Sequence, residues 1–305
     1  LNPLTSWRLA DRKPVKAAPG RNLAQAAAPP VTVSVRWLAG ACAVVVAVAA
    51  LCAYGTLCLL FYQGQWQLVL HPARSVPALP SARGMKFDEV RFDYTETGIP
   101  RLAGWWIPAE PASRWGSSTV LYLHGGDGSL SSCLEDLAAL HSLGINVFAF
   151  DYRGYGQSTG TRPSEARMRE DAQAAWSYLA EGRRIDDRSI VIYGVGAGAS
   201  LAAELAAKHR PAGVVLDAPA PPARTIVERD ARARILPLFL LLAERFDPVE
   251  ALQDKTTPKL FLDRAGASPR TGELYRAAAS PKQYFELKPG EYDVVLRRFF
   301  GEVLR

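Results

Sequence analysis

The chain has 305 residues, 49% of them apolar, enough for one large buried core or two small ones. Its net charge of +6 is concentrated in the first 36 residues, where Arg8, Arg12, Lys13, Lys16, Arg21 and Arg36 stand against the single acid Asp11. The remainder holds 30 basic and 29 acidic residues and no basic run interleaved with aromatics, which excludes a phosphate-binding face and a nucleic-acid partner.

Residues 1–36 read as a basic, Ala- and Pro-rich flexible cytoplasmic tail. From Trp37 to Tyr62 no residue is charged. As a helix this run spans about 39 Å at ~1.5 Å per residue, longer than a bilayer core of ~30 Å. Trp37 and Tyr62 end it with rings suited to the headgroup level. A cleaved signal peptide ending at Ala47-Val48-Ala49 is the competing reading, but the apolar run is too long and the tail too extended for it. The basic tail predicts a cytoplasmic N-terminus, with the main domain on the outer, periplasmic or extracellular side. Cys42, Cys52 and Cys58 fall inside the span and Cys133 is alone in the domain, so no internal disulfide is expected there. No spacing suggests a metal site, and no cofactor is expected.

Residues 63–86, with Pro72, Pro77 and Pro80, read as a connector, and residues 87–305 as one α/β domain. Phe87–Tyr94 alternates like a half-buried strand and Leu102–Ile107 returns after the turn Gly98-Ile99-Pro100. Short apolar runs at Thr119–Leu123, Ile145–Phe150, Ser189–Tyr193, Gly213–Leu216, Lys259–Leu262 and Gln283–Glu286 predict further strands. Between them lie helical spacings: Leu134/Leu137/Leu140; Met168 to Leu179 with Ser164 as cap; 197–208; 272–279; and 292–304. Two strands in hairpin register followed by this alternation predict a mixed sheet, parallel through its centre, with helices on both faces. Its working residues belong in loops at the carboxyl ends of the strands. In residues 218–258, a candidate small lid, the alternation breaks. The apolar run Ile235–Leu242 favours a helix packed on the sheet over a lid.

Three segments carry the chemistry. Leu123-His124-Gly125-Gly126-Asp127-Gly128 is a strand running into a glycine turn whose N–H groups can face a cleft. Asp151-Tyr152-Arg153-Gly154-Tyr155-Gly156-Gln157-Ser158 follows a second strand, with Asp151 placed to organise the turn. Ile192-Tyr193-Gly194-Val195-Gly196-Ala197-Gly198 is a strand, a tight turn and a helix start. In this order, from about Gln67 to Arg305, they resemble the α/β-hydrolase superfamily, more narrowly its membrane-anchored, serine-aminopeptidase-like branch of esterases and peptidases. That resemblance implies a serine at the middle of G-x-S-x-G, a histidine late in the chain, an orienting acid and backbone oxyanion donors.

Here the outer glycines are present, but the nucleophile position is Gly196. The acid position falls on Ala267, with Asp263 nearby, and the histidine position on Tyr292. All four histidines, His71, His124, His141 and His209, precede the expected place. Ser200 lies one turn past the apex. The resemblance assigns the oxyanion donors to the N–H groups of Gly126 and Ala197. The candidate pocket is His124, Gly125, Asp127, Tyr152, Gly196 and Tyr292. The pattern predicts a pseudohydrolase that binds a small acyl or carboxylate ligand or a protein partner. Two alternatives remain open. One is an ester or peptide hydrolase with a rearranged site using Asp263, Asp293 or Cys133. The other is a dinucleotide site on the fingerprint Gly194-x-Gly196-x-x-Ala199, with Asp217 for the ribose.

Overall fold

A computed structural model describes residues 32–264 and 270–304. Most of the tail lies outside the described residues. By contact density the chain divides after Ala53. In the first unit the described structure is helix α1, Val35–Gly64, which continues into the second; none of its 30 residues is buried. It is long and apolar enough to cross a membrane.

The second unit, Tyr54–Arg305, is built on strands β1 (His71–Pro72), β2 (Asp88–Tyr94), β3 (Pro100–Ile107), β4 (Trp115–Leu123), β5 (Asp127–Gly128), β6 (Ile145–Asp151), β7 (Ile190–Val195), β8 (Gly213–Asp217), β9 (Lys259–Arg264) and β10 (Lys282–Leu287). Eight of them form one sheet in the order β10-β9-β8-β7-β4-β6-β3-β2. It is parallel from β10 to β6, and β3 and β2 add antiparallel edge strands. The central strands are apolar on both sides because both faces are covered. Leu121, Leu123, Ile190 and Ile192 face one core, with α3 (Glu165–Ser177), α4 (Ala197–His209) and α7 (Arg270–Ala277). Val120, Tyr122, Val191 and Tyr193 face the other, with α2 (Leu134–Ser142) and α8 (Tyr292–Val303). The period-two pleat thus assigns alternate residues of each strand to separate cores. Trp105 and Trp106 are both buried in β3 as strand packing, and the Ser164 hydroxyl accepts from Arg167 N at 3.3 Å as the α3 cap.

Two expectations change. The 63–86 segment is packed into the domain: Leu70 is fully buried, and β1 pairs in parallel with β5, setting His71 opposite Asp127. A two-residue strand pairing 56 positions away leaves no periodic trace in sequence. The Ile235–Leu242 run does not form a helix buried on the sheet. It includes the four-residue helix α6 (Leu238–Leu241), which follows α5 (Ala223–Val227), and Ile235, Phe239 and Leu240 are 64%, 80% and 71% exposed. Four residues make barely one turn, too short to bury a continuous apolar stripe.

Candidate functional site

β7 and α4 meet at Gly196, whose φ of 57° and ψ of −119° form the sharp strand-to-helix turn. Its N–H donates to Asp217 O at 3.1 Å, and its carbonyl accepts from Ala199 N and Ala220 N at 3.2 and 3.1 Å. The three elbow glycines exist for different reasons. A β-carbon on Gly194 would strike Gly198 O and lie 2.6 Å from Ala202 Cβ; one on Gly198 would strike the carbonyl oxygens of Leu123 and His124. Close passage of α4 over β4 and β7 forbids both. On Gly196 the nearest atom would be Gly125 Cα, at 3.7 Å, so space for a side chain is present and only the positive φ opposes one.

The glycine turn after β4 packs against this elbow. A β-carbon on Gly126 would lie 3.0 Å from Val69 O and 3.8 Å from Ala197 Cβ. The N–H groups of Gly126 and Ala197 have no hydrogen-bond partner among the described residues, and Ala197 opens a 13-residue helix whose N-terminal dipole favours negative charge. Gly125, Gly126, Asp127, Gly196 and Ala197 line one cleft of about 480 Å³.

Three expected pocket members lie elsewhere. His124 is fully buried between Tyr152 and Tyr155, its ring 4.4 and 5.1 Å from theirs. Nδ1 meets Gly125 O at 2.8 Å, and Nε2 lies 3.8 Å from Asp151, without a hydrogen-bond partner. Burial lowers its pKa to about 4. Tyr152 is equally buried and donates to His124 O at 3.2 Å. Both side chains lie under the turn, in the core faced by Leu121 and Leu123: His124 follows the last residue of β4, so the strand's alternation no longer sets its direction and packing on Tyr152 and Tyr155 does. Tyr292, the first residue of α8, lines a neighbouring cleft of about 520 Å³ instead.

That neighbouring region holds a polar network in which Tyr292 Oη donates to Tyr193 Oη at 2.8 Å, and Tyr193 Oη to Asp217 at 2.5 Å. Arg264 Nη2 bridges Asp217 at 2.5 Å and Asp136 at 3.0 Å, and Tyr122 Oη donates to Asp136 at 2.8 Å. Asp217 is fully buried and neutralised by the guanidinium, which its hydrogen bond holds well into the charged form. Burial foremost raises the phenols of Tyr122, Tyr193 and Tyr292, keeping them as donors. Asp217 is thus committed inward and unable to take a ribose, which removes the dinucleotide reading. Asp217 ends β8 but Tyr193 lies two residues inside β7, so no sequence position marked this network in advance.

The other candidates resolve as follows. Ala267 lies outside the described residues. Asp263 accepts from Tyr284 Oη at 3.1 Å, and Asp293 is exposed on α8. Neither lines the Gly196 cleft. Ser200 is buried, donating to Phe246 O at 3.0 Å. Cys133 does line the cleft, but burial pushes its thiol up to about 11, leaving little thiolate. Asp151 accepts from Leu130 N at 2.9 Å and from the backbone of Gln157 within its own turn, and burial raises it to about 6. Among the described residues no cluster of three His, Cys, Asp or Glu could hold a metal ion. Chain order had set His71 aside; in space it lines the cleft, its Nδ1 2.6 Å from Asp127 Oδ1.

A profile of the serine aminopeptidase S33 hydrolases matches residues 117–265. Rv2307c of Mycobacterium tuberculosis is 34% identical over 251 residues, covering 79% of this chain and 84% of that protein. The chain belongs to the S33 family of α/β hydrolases. Alpha/beta hydrolase domain-containing protein 17C of Homo sapiens is 32% identical over 120 residues, 39% of this chain and 35% of that protein. The Pyrococcus furiosus esterase Pf2001 shares the fold, with a TM-score of 0.61 at 20% identity over 77% of this chain and 100% of that one. Within the S33 frame this chain keeps the elbow backbone while Gly196 offers no oxygen or sulfur at its apex.

Proposed function

We propose that this S33-family protein is a membrane-anchored pseudohydrolase, which binds a carboxylate or acyl group in the Gly196 cleft without Ser–His–acid catalysis. One observation carries the reading: the two N–H donors stay open beside an apex that has room for a side chain and has none. Two fixed donors at a helix N-terminus suit a carboxylate or carbonyl oxygen. Apolar α1 and the basic tail support a single-pass anchor with the N-terminus cytoplasmic and the domain on the outer side. Octanoate titrated into the full chain tests the site. Ala197→Pro removes one donor at a helix position that tolerates proline. Loss of one hydrogen bond to a charged ligand, worth about 1.5–3 kcal/mol, should weaken binding roughly 10- to 150-fold. Equal affinity in the two proteins would refute donor-based binding.

The His71–Asp127 pair favours a second reading, hydrolysis without a protein nucleophile. With Nδ1 held by the carboxylate, Nε2 could accept a proton from water as hydroxide adds to a carbonyl on the donors, then return it to the leaving group. Turnover of a p-nitrophenyl ester panel, lost in His71→Gln, would replace the first reading by this one. No turnover above the uncatalysed rate is the outcome expected.

A further inference from the structure

The cleft has a neighbour that the catalytic frame does not use. A second cavity, about 250 Å³, lies between the last turns of α1 and the segment after α5. Leu57, Phe61, Leu68, Ala233 and Leu236 supply its apolar lining. Gln65 also lines it, but its amide is occupied: Nε2 donates to Leu241 O at 2.7 Å and Oε1 accepts from Ala243 N at 3.0 Å, leaving its stem to the cavity. Leu68 lines this cavity and the Gly196 cleft alike. On the cleft side it joins Val69, Ile226 and Phe246 as apolar wall. Outside, Leu60, Ile235, Phe239 and Leu240 are 62–80% exposed, an apolar rim on the same two segments.

Polar donors at one end, an apolar wall shared through Leu68 and a mostly apolar cavity beyond it, with Gln67 and Asp230 also on its lining, match one ligand shape. We propose that the ligand is a single-chain amphiphile whose carboxylate or acyl head sits on the Gly126 and Ala197 N–H groups, while its alkyl chain passes Leu68 into the cavity beneath α1. This rests on the donor-based reading above and adds the chain. The exposed rim gives such a molecule an apolar path to the cavity, so that its tail leaves an apolar phase without crossing water. Leu68, half-buried, is the gate between head site and tail site.

The test is a series of straight-chain alkanoates, acetate to decanoate, titrated into the full chain in lipid nanodiscs, with binding to empty nanodiscs subtracted. Affinity should rise roughly fourfold per methylene until the cavity is filled. Leu68→Trp should abolish that gain. Leu57→Trp, at the far side, should stop it at a shorter chain, and reads the same property should the first variant fold poorly. Ala197→Pro should weaken every member by one common factor. A flat series that remains sensitive to Ala197→Pro would overturn the tail site and leave the head site standing. A rising series insensitive to Leu68→Trp and Leu57→Trp would also overturn it, since the chain then lies elsewhere. A rising series that responds to Leu68→Trp but not to Ala197→Pro would overturn the head placement instead.

Discussion

Around the Gly196 cleft, the side carrying Gly125, Gly126 and Ala197 is made of backbone, and the side toward β8, β9 and α8 is made of side chains. The first keeps the glycine-turn geometry of the elbow; behind the second, beside the cleft and not lining it, Arg264, Asp217, Tyr193 and Tyr292 form a hydrogen-bonded network. The difference has a physical origin. The glycine turns also pack α4 onto β4 and β7, so sterics retain them whatever happens to the chemistry. Nothing in the fold requires a histidine at the head of α8, and a tyrosine there joins a hydrogen-bond network instead. A site built from backbone therefore outlasts one built from side chains.

Four substitutions probe that contrast. Gly198→Ala drives a β-carbon into two carbonyl oxygens, and its cost should exceed the usual 1–3 kcal/mol of overpacking. Gly196→Ser meets no steric clash, only the strain of a sparsely populated backbone conformation, about 1–3 kcal/mol. Urea midpoints at constant m-value would rank the pair; equal costs would mean that the elbow glycines share one role.

On the side-chain wall, Arg264→Ala leaves buried Asp217 unpaired. Breaking a buried pair costs about 3–5 kcal/mol, and the lower end applies because the guanidinium is 42% exposed and partly screened. Denaturant unfolding would show this, and a loss below about 1 kcal/mol would mean that the network is ornamental to stability.

The fourth is a pH dependence beneath the turn. Burial raises the Asp151 carboxyl from 3.8 to about 6, so the folded state holds that proton more tightly than the unfolded chain does. Its contribution is full below about pH 4 and is lost as pH rises through 6. Asp151→Asn does not ionise. Its stability relative to the parent should therefore improve between pH 4 and 6, by roughly 2–3 kcal/mol at most. His124, lowered to about 4, works with the opposite sign: its contribution is full above pH 6.5 and is lost as pH falls through 4. Both proteins retain His124, so the difference curve isolates Asp151. A flat difference would show that burial does not control its ionisation.

Much of the fold was legible because burial on both faces writes continuous apolar runs, as at Thr119–Leu123 and Ile190–Tyr193, and because glycine turns mark strand ends. The convergence of Gly126, Gly196 and Ala197 followed from the same motifs. The apolar string Ile235–Leu242 misled: composition predicted burial, yet Phe239 and Leu240 face outward beside the end of α1. His71 could not be placed from spacing, since its partner Asp127 lies 56 residues away on a two-residue strand.

By itself, then, the sequence determined the sheet, the elbow backbone and the missing apex side chain, because these depend on local pattern and on the identity of residue 196. Only tertiary structure decided which way His124, Tyr152 and Tyr292 point, that Arg264 ties Asp217 to Asp136 beside the cleft, and that Leu68 lines two cavities. Side-chain direction at strand ends and cavity walls made by distant segments are set by packing across the sheet, which no local pattern encodes.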